Sequence, residues 1–152
     1  SRKNVPLHFI NGEKRTKIDV NIPGNKQKEN TELVLAVLDH IRGFTISNSA
    51  VQDGLNKVVW HGRNQMLQKN PHVIFDVAHN LAGMNSFLEY YNNLNITGDS
   101  VLVISLQARK QIQPVIPIFQ SIFKYIVCTE APGRNTMSAN ILRNLFLRYT
   151  SS

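Results

Sequence analysis

Asp76, His79 and Asn80 fall within the five residues Asp76-Val77-Ala78-His79-Asn80, directly after the apolar run Val73-Ile74-Phe75 and ahead of a helical pattern. An acid, an imidazole and an amide therefore sit where a strand stops and a helix starts, the edge at which α/β folds bind ligands. A carboxylate in that place accepts hydrogen bonds from ligand hydroxyls, while the next helix offers free N–H groups and a positive dipole end to anions. The same residues also suit a purely structural role, with Asp76 capping, His79 packed in the first turn and Asn80 satisfying backbone groups. No metal is expected: Asp76 and His79 make two ligands, and His8, His40, His61 and His72 bring no metal spacing. No serine or cysteine triad can be assembled, and no Gly-rich phosphate loop with its lysine and hydroxyl is present.

The elements around this edge follow from periodicity. From residue 73 the pattern alternates regularly: strand 73–77, helix 80–94, strand 101–106, helix 114–123, strand 125–129, helix 137–148. Strands separated by helices predict right-handed βαβ units and a parallel sheet covered by helices on both faces, a thin sheet of three strands here that implies a missing C-terminal strand. Asn80 is a competent N-cap for the first of these helices, and Leu81, Met84, Leu88 and Tyr91 form its apolar stripe. Pro114 suits the opening of the next helix, whereas Pro117 should disturb its first hydrogen bonds. Ahead of this region, residues 5–22 read as strands joined by the turn Asn11-Gly12-Glu13-Lys14. Leu33, Val34, Val37, Leu38 and Ile41 then define a helix starting near Asn30 or Thr31 and stopping at Gly43. Ser47 or Ser49 caps a second short helix through Ala50, Val51 and Leu55, Trp60-His61-Gly62-Arg63 reads as a turn, and Asn64 to Gln68 as a strand with a polar face.

Composition narrows the class. A length of 152 residues fits one domain, or one domain with a piece of another. The 17 Lys and Arg against 10 Asp and Glu give +7, but the basic residues do not gather with interleaved aromatics. Arg2, Lys3, Lys14, Arg15, Lys17, Lys26 and Lys28 precede the first helix or open it, and the rest are dispersed. No nucleic-acid partner is expected; the surplus suits a solvated face or an anionic ligand. Cys128, the one cysteine, forbids an internal disulfide and reads as a buried strand thiol of a reducing compartment. No apolar stretch approaches the about 20 residues of a membrane span. The expected location is the cytoplasm, with no membrane partner.

Three motifs in a fixed order carry a more specific signal. Gly24-Asn25-Lys26-Gln27-Lys28-Glu29-Asn30 opens the first helix, Gly54-Leu55 and Trp60-His61-Gly62-Arg63 follow, and Asp76-Val77-Ala78-His79-Asn80 begins 13 residues after Arg63. Together they resemble folylpolyglutamate synthase and its bifunctional relative dihydrofolate synthase, of the Mur ligase superfamily. The family pattern is roughly Gly-x-His-Gln-x-x-Asn-Ala, then Gly-Leu and Trp-Pro-Gly-Arg, then Asp-Gly-Ala-His-Asn. Lys26 replaces the usual His, His61 the Pro and Val77 the Gly, and Arg109-Lys110-Gln111 stands where the family often has Lys-Asp. Pro132-Gly133-Arg134 falls near a later Pro-Arg segment, and reads equally as a simple turn.

The resemblance covers about residues 15–148. It implies that residues 1–58 are a strand-helix remnant of the central ATPase domain and residues 59–152 a Mur ligase C-terminal domain, an α/β Rossmann-like fold with a mostly parallel sheet and helices on both faces, truncated at its end. The phosphate loop and Mg²⁺ ligands would lie upstream, so this portion alone should be inactive. The implied function is ATP-dependent ligation of glutamate to a folate, or of dihydropteroate to glutamate, through an acyl phosphate. Asn30, Arg63 and Asp76 would contact ATP and His79 would lie near the incoming L-glutamate or the transferred phosphoryl group. The rest of the ligase would be its partner. A non-catalytic nucleotide-binding module and another Mur-type amide ligase are the alternatives.

Overall fold

Gly24 starts the first helix in a conformation that only glycine adopts easily, with φ 112° and ψ 143°. In the computed structural model, which describes residues 19–133 and 135–149, α1 runs from Asn25 to His40 and α2 from Asn48 to Lys57. Of the strands expected over residues 5–22, the part up to Ile18 lies outside the described residues, as do the basic residues up to Lys17 and Arg134. α1 begins more than a turn earlier than the apolar spacing predicts, because the first turns Asn25–Asn30 are polar and solvent-facing. Periodicity marks the buried stripe of a helix, not its end. At the other end α1 stops at His40, three residues short of Gly43. Val20 and Ile22 join no strand; Asn21 N–H instead donates to Leu55 O at 3.0 Å, and Gln52 Nε2 to Asp19 O at 3.3 Å, so α2 holds this segment. Ser47 caps α2 by accepting from Ala50 N–H.

The chain divides into two compact units, residues 1–65 and 66–152. In the first, Asn64 is 3% exposed, holds φ 46°, and its Nδ2 donates to Pro23 O at 3.0 Å. A Cβ on Gly24 would stand 2.7 Å from that Nδ2. Glycine is thus required twice, by the backbone angle and by the packed amide.

β1 (Gln65–Lys69) begins at the last residue of the first unit, and the second unit then runs through the predicted alternation: β2 (His72–Phe75), α3 (Leu81–Asn93), β3 (Val101–Ile104), a 3₁₀ turn (Gln113–Val115), α4 (Ile116–Ile122), β4 (Tyr125–Cys128) and α5 (Ala139–Arg148). β3 and β4 pair in parallel, Val101 opposite Tyr125 through Ile104 opposite Cys128. The run 73–77 does not extend this pair into a third parallel strand. β2 pairs with β1 instead, across a connection of two residues that only a hairpin can close. Apolar runs look alike whether a strand is central or half of a hairpin, which is why sequence placed it in the sheet.

Burial is one-sided. Leu102 and Ile104 of β3 and Ile126 and Cys128 of β4 pack against a core of Met84, Leu88, Ile116, Phe119, Leu142 and Phe146, so α3, α4 and α5 all cover the same face. The alternate residues Val101, Val103, Tyr125 and Val127 are exposed. The second helical layer expected from strands apolar on both faces is not found among the described residues. Pro117 is accommodated because the chain makes the 3₁₀ turn first and restarts as α4 at Ile116, leaving Pro117 in the opening turn where its missing N–H costs nothing.

Two substitutions check this account by urea unfolding of the 152-residue chain. Leu142→Ala, at 0% exposure, should cost about 2–5 kcal/mol, whereas Val103→Ala, at 65%, should stay within about 0.5 kcal/mol; equal losses would contradict one-sided burial. Gly24→Ala should cost about 1–3 kcal/mol from backbone strain alone, read through the single tryptophan, Trp60, of the same unit.

Candidate functional site

The turn from β2 into α3 is held by its own side chains. Asp76 Oδ1 accepts from Ala78 N–H at 2.7 Å, and Asn80 Oδ1 caps α3 by accepting from Gly83 N–H at 2.8 Å. Gly83 lets the helix sit close beneath the turn, since a Cβ there would meet Asn80 Oδ1 at 3.2 Å and the Ala78 methyl at 3.3 Å. His79 Nδ1 lies 3.1 Å from Val77 O. A carbonyl only accepts, so Nδ1 carries the proton, and Nε2 of the neutral ring is the accepting nitrogen. His79 is exposed and Asp76 half-buried. The structural role considered for these residues is therefore filled by Asn80 as the cap, while Asp76 orients the turn and His79 faces solvent instead of packing.

Val77 fits without strain. It is not among the residues with positive φ, and its side chain is exposed. The turn thus needs no glycine conformation at this position.

In the first unit, Asn30 lies on the exposed surface of α1, past its first turn, with Nδ2 donating to Gln27 Oε1 at 3.3 Å. Lys26 pairs with Glu29 one turn along the same surface, an exposed pair that contributes little to stability. Arg63 is half-buried, and among the described residues its guanidinium has no hydrogen-bond or ion-pair partner. The neighbouring Asn64 ties the Arg63 turn to Pro23, and so to the start of the helix that carries Asn30. Structure thereby brings the first and second motifs into one unit, and Asp76 with His79 into the other.

Sequence reading passed over Gln65. It binds Gly62 N–H and the His61 ring, yet looked like one polar residue of a strand. The signal was its place two residues after Arg63 in a turn built on glycine.

Cys128 is not an activated nucleophile: burial pushes its thiol up, and Arg143 only partly offsets this. Among the described residues no group of three or more His, Cys, Asp or Glu could hold a metal ion, and no helix is long and apolar enough to cross a membrane.

No family model matches the chain. The dihydrofolate synthase/folylpolyglutamate synthase of Escherichia coli strain K12 is 28% identical over 117 residues, which are 76% of this chain and 28% of that protein. The chain thus spans less than a third of this curated relative. Among solved structures, E. coli FolC in complex with DHPP and ADP superposes with a TM-score of 0.71 at 26% identity, over 84% of this chain and 30% of that one. Mycobacterium tuberculosis folylpolyglutamate synthase complexed with ADP and AMPPCP gives 0.77 at 23% identity, over 86% and 30%. A bifunctional folylpolyglutamate synthase/dihydrofolate synthase with Mn, AMPPNP and L-glutamate bound gives 0.68 at 22%, over 88% and 32%. The last two likenesses are of fold alone. In sequence and in fold, the chain resembles the C-terminal portion of the folylpolyglutamate synthase/dihydrofolate synthases, and its α/β architecture is that part of the Mur ligase fold.

Proposed function

We propose that this chain is the C-terminal part of a cytoplasmic, ATP-dependent carboxylate–amine ligase that adds glutamate to a folate or joins dihydropteroate to glutamate. The observation that carries the reading is the likeness, in both sequence and fold, to an enzyme solved with DHPP and ADP. Residues 1–58 belong in this reading to the central ATPase domain and residues 59–152 to the C-terminal domain.

A carboxylate is a poor electrophile, so the reaction activates it. Its oxygen takes the γ-phosphoryl group of ATP, releasing ADP; the amine of glutamate then attacks the acyl carbon, the amide bond forms, the C–O bond to phosphate breaks and phosphate leaves. Such transfers depend on positioning and on neutralising phosphate charge. The Arg63 guanidinium, which has no counter-charge among the described residues, forks onto phosphate or ribose oxygens. The Asn30 amide meets the adenine edge, and Asp76 accepts from ribose hydroxyls. His79 Nε2 accepts a hydrogen bond near the incoming amine or the transferred phosphoryl group. Mg²⁺ would accompany ATP, held by residues that the family resemblance assigns to the central ATPase domain.

In the full-length ligase, Arg63→Ala or Asp76→Ala should raise the KM for ATP by about tenfold or more, the scale of one lost charge-assisted contact, and leave the KM for folate unchanged. Steady-state kinetics with each substrate varied in turn decides it: equal effects on both, or none, would remove the assignment. A full-length protein that binds ATP but forms no ADP with folate and glutamate present would instead be a nucleotide-binding module.

A further inference from the structure

A guanidinium forks onto an anion only if the backbone beneath it is held still. The turn under Arg63 is held by one side chain. Gln65 Oε1 accepts from Gly62 N–H at 2.9 Å, and Gln65 Nε2 lies 3.2 Å from His61 Nδ1. Gly62 N–H can only donate, so it fixes which end of the Gln65 amide is oxygen, and His61 Nδ1 is then the acceptor. On the far side, Asn64 is buried and bonded to Pro23 O. Arg63 thus lies between tethered neighbours while its own head group has no partner among the described residues. Gly62, at φ 75°, lets the turn close tightly enough for Gln65 to span it.

We propose that Gln65 is a positioning residue for Arg63: its paired hydrogen bonds to Gly62 and His61 hold the 61–63 turn in the form that presents the guanidinium to the nucleotide. His61, which replaces a turn-stiffening proline of the family pattern, supplies stiffness through this bond instead. The proposal rests on the reading that Arg63 contacts ATP.

Gln65→Ala and Gln65→Glu test it in two settings. A carboxylate at position 65 accepts from Gly62 N–H, and accepts from His61 once the ring moves its proton to Nδ1, so Gln65→Glu should restore the clamp. In the full-length ligase, Gln65→Ala should raise the KM for ATP about tenfold with the KM for glutamate unchanged, and Gln65→Glu should stay within about threefold of wild type. In the 152-residue chain, acrylamide should quench Trp60, which is 64% exposed beside the turn, more readily in Gln65→Ala than in wild type or Gln65→Glu. If Gln65→Ala lowers the urea midpoint, His61→Ala, which removes only an exposed ring, must still raise the KM for ATP. Wild-type KM for ATP in Gln65→Ala or His61→Ala, with Arg63→Ala impaired, would overturn the positioning role and leave the nucleotide reading standing. An Arg63→Ala enzyme with unchanged KM for ATP would overturn the nucleotide reading itself.

Discussion

One-sided burial of the parallel β3–β4 pair is the constraint on which the second unit depends. Four residues of the inward face, Leu102, Ile104, Ile126 and Cys128, lie against the core that α3, α4 and α5 share. Once that face is covered, the two strand ends are forced into register, and the loops beyond them meet. Thr129 N–H donates to Ile104 O at 2.9 Å, Ala131 N–H to Ser105 Oγ at 3.0 Å, and Met137 N–H to Leu106 O at 2.8 Å. The loop after β3, with Arg109 and Lys110, is therefore stitched to the loop after β4 by backbone groups and the Ser105 hydroxyl. Its conformation follows from strand pairing, not from its own charges.

The candidate site residues depend on a different kind of interaction. Around Arg63 and around Asp76, the backbone is fixed by single hydrogen bonds from Asn, Asp and Gln side chains to N–H and C=O groups, three of them within a few residues and one, from Asn64 to Pro23 O, across 41 positions. Such bonds are net contributions of about 0.5–1.5 kcal/mol each, too small to fold a chain but enough to select one conformation of a turn. Core burial decides where the turns are; these polar contacts decide how they point. Substituting Asn64 or Gln65 is for that reason expected to change geometry more than overall stability, the reverse of substituting Leu142.

The α/β class and the succession of strands and helices along the chain were legible because each leaves an apolar period: Leu81, Met84 and Leu88 could belong only to a helix with one buried face. The capping role of Asn80 was legible for the same local reason. Four things were not. The polar first turns of α1 carry no apolar signal, so Asn30 seemed to start a helix that begins at Asn25. The run at 73–77 could not announce its partner, since pairing is a long-range choice and β1 was a weak polar strand. The exposed face of β3 and β4 could not be foreseen either, because Val101, Val103 and Val127 have the residue types of a buried face. Gln65 escaped for a further reason: its function lies in two hydrogen bonds back along the chain, and a single glutamine in a polar stretch has no periodicity to betray it.

Two of the departures from the family pattern, Val77 and His61, act differently on the backbone. Glycine is irreplaceable where φ is positive or where a Cβ would collide, and Gly24 meets both conditions. Position 77 meets neither: its backbone lies in the region open to any residue, and the valine side chain is directed toward solvent. Val77 therefore leaves Asp76 and His79 where their own hydrogen bonds put them, and its effect is confined to what can approach the turn from outside. His61 is the opposite case. A proline stiffens a turn through its ring, whereas His61 does so only while Gln65 is there to bond it. The substitution thus transfers rigidity from a covalent ring to a hydrogen bond, and makes the aim of Arg63 depend on a side chain two residues beyond it.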